Sequence, residues 1–199
     1  DGGLTRLGLY KDLDEEKYAQ SYVYSDPIPT PLKPLSIPYT TSEKEIETNL
    51  TRFKKGEEIN VASAAFGAKL IHATNEHYGP ARQVISPYDP INMFDGLESA
   101  RSREKDHNEE CVIQLIKSCK IHQIEFNFSY FINNNPQFIR VDGKRANDEW
   151  RTIIPKTKVK AFAGNFKSFQ IEQESDFSEI KVITYPDGGI NRIKVFSFI

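Results

Sequence analysis

From about residue 60 onward, apolar and polar side chains alternate in short runs. Ile124, Phe126 and Phe128 stand against Glu125, Asn127 and Ser129, a period of two that buries one face of a sheet and wets the other. Comparable runs, rich in β-branched and aromatic residues and separated by Gly, Pro, Asn or charged clusters, cover 68–74, 111–117, 121–131, 137–142, 149–154, 166–172, 179–185 and 189–198. Eight strands with no helix between them predict an all-β fold, a jelly-roll β-sandwich, because the Cys and Trp signature of an immunoglobulin sandwich is missing. Upstream the period changes to that of a helix. Ser42 and Glu45 have capping-box spacing, Ile46, Leu50 and Phe53 share one helical face, and Gly56 stands where a C-terminal cap belongs.

Two segments repeat. Asp1-Gly2-Gly3-Leu4-Thr5-Arg6 and Asp187-Gly188-Gly189-Ile190-Asn191-Arg192 match at Asp, Gly, Gly and Arg, with aliphatic residues in equivalent places. Each reads as a glycine turn feeding an alternating strand. Between them, residues 26–38 hold five of the chain's 11 prolines, which excludes helix and central strand and predicts an extended strap. The organisation expected is therefore residues 1–10 as the last strand of a preceding copy, 11–55 as proline-rich linker and short helix, and 56–199 as one jelly-roll domain.

Charge narrows the partners. With 26 Lys and Arg against 28 Asp and Glu, the net charge is -2, so no general basic field exists to hold nucleic acid or an anionic membrane. No window approaches the roughly 18 consecutive apolar residues of a membrane span, and the first ten residues lack a secretory pattern; the expectation is a cytoplasmic protein. Cys111 and Cys119 fit no disulfide framework or zinc spacing and are expected to be packed free thiols. Trp150, the one tryptophan, is expected to fill core.

Candidate chemistry lies in three polar loops at strand ends: 75–80, 95–103, and Asn127 together with 130–136. Glu76, Asp95 and Glu98 are candidate general bases, His77 and His107 candidate proton carriers or metal ligands, and Arg101 or Arg103 a planar fork for a carboxylate. No acidic cluster has calcium-loop spacing, and the glycines after Asp1 and Asp187 make neither phosphate-loop pattern; no metal and no cofactor is expected.

Taken in order, Phe66-Gly67-Ala68-Lys69-Leu70, Ala73-Thr74-Asn75-Glu76-His77-Tyr78-Gly79-Pro80-Ala81, Asp95-Gly96-Leu97-Glu98-Ser99, Pro136-Gln137-Phe138-Ile139, the run 150–156, and Tyr185-Pro186-Asp187-Gly188-Gly189 resemble the allantoicase family over roughly 59–199. The resemblance implies tandem jelly-roll domains of the galactose-binding-like type, each closing on a Pro-Asp-Gly-Gly turn and an Arg-bearing strand. It also implies a hydrolase that converts allantoate and water to ureidoglycolate and urea in purine catabolism, assembled as a homo-oligomer and partnered by the missing N-terminal repeat. On that reading Glu76, His77, Asp95 and Glu98 move protons, Arg101 or Arg103 holds the substrate carboxylate, and Asn75, Asn127 and Asn134 meet the ureido groups. Three departures stand out. Asp-Gly-Trp-Glu becomes Asp95-Gly96-Leu97-Glu98, which implies an altered substrate wall; Asp-Trp becomes Glu110-Cys111; and Asp-Thr-x-x-Phe-x-Gly-Asn becomes the run from Asn127 to Asn134. The alternative implied by these departures is a catalytically degenerate jelly roll that serves as a protein- or ligand-binding module.

Overall fold

Alternation along the chain resolves into two antiparallel sheets that face one another in a computed structural model, which describes residues 43–104, 106–145, 148–159, 166–172 and 174–199. In chain order the elements are α1 (Glu43–Leu50), β1 (Glu58–Asn60), β2 (Lys69–Ala73), β3 (Leu97–Glu98), β4 (Glu109–Lys120), β5 (Gln123–Asn127), β6 (Phe138–Lys144), β7 (Arg151–Lys158), β8 (Phe166–Gln170), β9 (Asp176–Tyr185), β10 (Gly189–Ile190) and β11 (Arg192–Phe198). One sheet runs β1-β11-β5-β8 and the other β2-β4-β9-β6-β7, while β3 and β10 form a small ribbon. The closing strands sit inside: β11 lies between β1 and β5, and β9 between β4 and β6. The expected readings of 1–10, 26–38 and Ser42 lie outside the described residues.

The core is the inner face of both sheets. Ile124 and Phe126 of β5 and Val195 of β11 meet Ile113 of β4, Ile139 and Val141 of β6 and Ile180 of β9, all fully buried. Each is two residues from the next inward side chain on its strand, so one register satisfies the whole face. All eight expected strands are present, the run 189–198 as two, β10 in the small ribbon and β11 in the four-stranded sheet. Two more, β1 and β3, are three and two residues long, too short to show a period.

Four details differ from expectation. The run 121–131 stops at Asn127, because the Asn127 side-chain oxygen accepts the Ser129 amide at 2.8 Å and the Ser129 hydroxyl, turning the chain. β7 continues through Pro155, which sits on an edge strand between the pairs Val141–Ile154 and Ile139–Thr157; the register shift there leaves no ladder bond for the missing N–H to make. Gly56 lies six residues past α1 with φ +84° and donates its N–H to the Ile199 carbonyl, so it turns the chain into β1 rather than capping the helix. Trp150 is only half-buried, and the ammonium groups of Lys181 and Lys144 lie 4.7 and 5.3 Å from its ring, on the outer surface rather than in the core.

Both cysteines are free and buried. Burial, with the Glu110 charge added, pushes the Cys111 thiol up to about 12. No helix among the described residues is long and apolar enough to cross a membrane.

Candidate active site

The Pro186-Asp187-Gly188 turn that follows β9 ties two loops together. Asp187 Oδ2 accepts the Ser102 amide at 2.7 Å, the Gly188 amide donates to Ser99 Oγ at 3.1 Å, and the Gly189 amide donates to the Asn134 carbonyl at 2.8 Å. Gly188 has φ +130°, and a Cβ there would come within 2.6–2.8 Å of the backbone of Asn134, Asn135 and Pro136. Only glycine lets the three segments close this tightly. Between the tied loops lies a cleft of about 500 Å³ whose walls include Glu98, Arg101, Asn133, Asn134, Gln137 and Tyr78.

Glu98 is aimed into it by strand geometry. In the β3–β10 ribbon Leu97 pairs with Ile190 and Glu98 with Gly189; Leu97 is buried, and its neighbour faces the opposite way, into the cleft. Burial pushes the Glu98 carboxyl up, and this outweighs the hydrogen bond from Asn134 Nδ2 and the charge of His77, both of which pull it down. The result is a carboxyl that keeps its proton to higher pH than an ordinary glutamate, beside an exposed guanidinium, Arg101, and a row of amides. Such an arrangement has the chemistry to receive a small polar anion and to exchange a proton with it.

A match to known proteins now decides the lineage: a family model described as the allantoicase repeat matches residues 59–199. The chain belongs to the allantoicase family. Saccharomyces cerevisiae allantoicase is 30% identical over 152 residues, 70% of this chain and 43% of its own length. Its crystal structure superposes with a TM-score of 0.67 at 29% identity, covering 74% of this chain and 45% of that one. A probable allantoicase of Pseudomonas savastanoi pv. phaseolicola is 26% identical over 156 residues, 73% of this chain and 47% of its own length. The chain thus spans less than half the length of these relatives. A family 32 carbohydrate-binding module from C. perfringens, solved in complex with galactose, shares the fold with a TM-score of 0.57 at 14% identity, over 71% of this chain and all of that one. The galactose-binding-like jelly roll is the scaffold of this allantoicase repeat.

Within the repeat, the sequence candidates separate. Glu98, Arg101 and Asn134 line the cleft. His77 is exposed at its edge, its ring edge-on to that of Tyr78 with centroids 4.3 Å apart. Arg103 is exposed but is not part of the cleft wall. Glu76 is used locally, its Oε1 accepting the Ala81 amide at 2.6 Å where a 3-10 turn, Ala81–Ile85, begins. Asn127 is buried and holds the turn after β5. Asn75 has its oxygen committed to the amides of His77 and Ala100, at 3.1 and 3.2 Å, and its NH₂ to Glu109 at 3.1 Å.

Asp95 lies away from the cleft, in a buried ion pair. Its Oδ2 accepts Arg192 Nη2 at 2.7 Å and the Ile91 amide at 3.2 Å, while Arg192 also donates to the carbonyls of Tyr88, Asp95 and Asn191 at 2.6–2.7 Å. Arg192, 1% exposed, was legible only as the repeated arginine of the closing strand. The segment Asp95-Gly96-Leu97-Glu98 therefore carries one structural acid and one cleft acid.

The same geometry explains the departures. Leu97 points into the interior, so replacing the family's tryptophan there changes packing behind the ribbon, not the cleft wall. The amide oxygen of Asn127 accepts the bonds a carboxylate would accept. Among the described residues only Asp106 is a non-glycine with positive φ, so Asn133 occupies the family's glycine position without backbone strain. The outside neighbours of Glu110 are Lys181 at 3.5 Å and His72 at 3.8 Å, on the surface of the sheet.

Proposed function

We propose that this repeat hydrolyses allantoate to ureidoglycolate and urea, in the cytoplasm and as a step of purine catabolism. One observation carries the reading: in a member of this family, a carboxyl whose pKa is pushed up by burial faces a cleft beside an exposed guanidinium. Allantoate presents a carboxylate and two ureido groups on one carbon. Arg101 takes the carboxylate through its planar fork, and Asn133, Asn135 and Gln137 supply amide partners for the ureido groups. Asn134 fixes the Glu98 carboxyl from behind.

Proton traffic then runs through one residue. Protonated Glu98 gives its proton to a ureido nitrogen as the bond from that nitrogen to the central carbon breaks, and the electron pair leaves with urea. The lone pair of the remaining ureido nitrogen supports the electron-poor carbon. Water adds to that carbon and returns a proton to the Glu98 carboxylate, which yields ureidoglycolate and the starting acid. His77 lies close enough for its charge to bias this cycle toward the carboxylate.

The test is urea release from allantoate by this chain and by a longer protein in which a preceding copy of the repeat is restored. Turnover that falls at least 100-fold on Glu98→Gln supports the scheme. Turnover unaffected by Glu98→Gln removes Glu98 from it. No urea from either folded protein overturns the hydrolase reading and leaves the binding-module alternative.

A further inference from the structure

Behind the cleft, a chain of polar side chains links the sheet to both of the loops that carry its acid and base candidates. Glu109 opens β4 and is paired in register with Thr184 of β9, so its backbone belongs to the rigid part of the molecule. Its side chain, about one-eighth exposed, is enclosed by donors: the Thr74 hydroxyl on Oε2, and on Oε1 the Asn75 NH₂ at 3.1 Å and His107 Nε2 at 2.9 Å. Asn75 passes the constraint on. Its single oxygen takes the amides of His77 and Ala100, residues on two different loops, one leading to Tyr78 and the other lying between Glu98 and Arg101. The Tyr78 amide in turn donates to the Glu98 carbonyl at 3.2 Å. Asn75 and Glu109 also share the wall of a small void of about 10 Å³ with Ser99 and Gly188, two residues that line the cleft as well.

We propose that Glu109 and Asn75, steadied by His107, are positioning residues that hold the His77–Tyr78 loop and the Glu98–Arg101 segment at the spacing the cleft needs. The bonding pattern specifies this. A carboxylate anchored on a paired strand fixes the orientation of one amide, and that amide orders two backbone donors from two different loops, which meet again only at the Tyr78–Glu98 backbone bond. Burial would raise the Glu109 carboxyl, yet the bonds from Thr74, His107 and Asn75 bring it below its ordinary value, as expected of a charged form that its neighbours are arranged to receive. Neither residue touches the cleft as proton donor, so they act through Glu98 and Arg101. The kinetic part of the inference rests on the hydrolase reading above; the loop-ordering part does not.

The experiment is a reciprocal exchange in the full chain. Asn75→Asp alone sets two carboxylates against each other; Glu109→Gln alone can keep an oxygen toward Asn75 and His107 with its NH₂ toward the Thr74 hydroxyl, and is the near-neutral control; the double variant turns the new NH₂ at position 109 to the new carboxylate at position 75, with His107 Nε2 accepting in its other tautomer, and so restores a donor facing an acceptor. Hydrogen exchange at the His77 and Ala100 amides is read for each, with the Ala81 amide, held by Glu76, as internal control. The expected result is exchange at His77 and Ala100 at least tenfold faster in Asn75→Asp, little change at Ala81, and protection regained in the double variant. In parallel, kcat for urea release falls at least tenfold in Asn75→Asp with KM changed less, and recovers in the double variant. Unchanged protection in Asn75→Asp, or loss that the double variant does not repair, overturns the proposal. If neither the chain nor the longer protein with a preceding repeat releases urea while the exchange pattern follows expectation, the hydrolase reading fails and the loop-ordering role stands.

Discussion

Two acids three residues apart, Asp95 and Glu98, have opposite uses, and the cause is local. Asp95 meets a guanidinium at 1% exposure, whereas Glu98 is turned to a cleft by its place in a two-residue strand. Asp95→Asn leaves the Arg192 charge uncompensated and should destabilise the fold by about 3 kcal/mol, since breaking a buried pair costs more than the pair contributes; chemical denaturation measures it. Glu98→Gln should behave the other way. A carboxyl whose folded pKa is raised stabilises the fold while protonated, and that stability is lost as pH rises through the raised value. The variant has no such loss, so at pH 7 it should unfold at a temperature no lower than wild type while losing turnover. As the proposed acid, Glu98 should also make kcat fall as pH rises through its raised pKa, and the pH profile of any residual activity in the variant should lack that limb. None of this division was legible in sequence. Both acids sit in one polar loop, and what separates them is Arg192, 97 residues away from Asp95 and recognisable beforehand only as one letter of a repeat.

Strands were the legible elements, because a face buried against a second sheet writes its period into the residues. Ile124, Phe126 and Phe128 are buried as their alternation requires. What stayed hidden were elements that a side chain, not a period, decides: Asn127 ending β5, Pro155 tolerated on an edge, and β3 existing only because β10 pairs with it. The glycine turn after β9 belongs to the same class. Its sequence announced a turn but not that the turn gathers Ser99, Ser102 and Asn134 around one cleft. Gly188→Ala would put a methyl within 2.6–2.8 Å of three backbone atoms at a φ that side chains rarely adopt. The expected outcome is a loss of at least 2 kcal/mol from strain and forced displacement of 134–136. Because Asn134 fixes Glu98, turnover should fall further than stability explains, and assays well below the melting temperature would separate the two effects.

At the scale of the molecule, the repeated turn-and-strand makes a demand that this chain meets only once. Arg192 is tolerable at full burial because Asp95 of an Asp-Gly-x-Glu motif faces it, and 95–98 is the single such motif in the sequence. If the repeat in the letters reflects a repeat of the fold, Arg6 corresponds to Arg192 and would need an aspartate other than Asp95, which is already engaged. An unpaired buried guanidinium is among the costliest groups a core can hold, so this requirement is strong enough to select a partner. A separately expressed preceding repeat that lacks its own closing strand should therefore bind this chain through residues 1–10, by completing a sheet that otherwise has an open position. Arg6→Met should weaken that association at least tenfold in a titration followed by calorimetry, while leaving the 56–199 repeat folded and its own Asp95–Arg192 pair intact. Equal binding by wild type and Arg6→Met would mean that the repeated arginine has no such counterpart, and that residues 1–10 resemble the closing strand in letters alone.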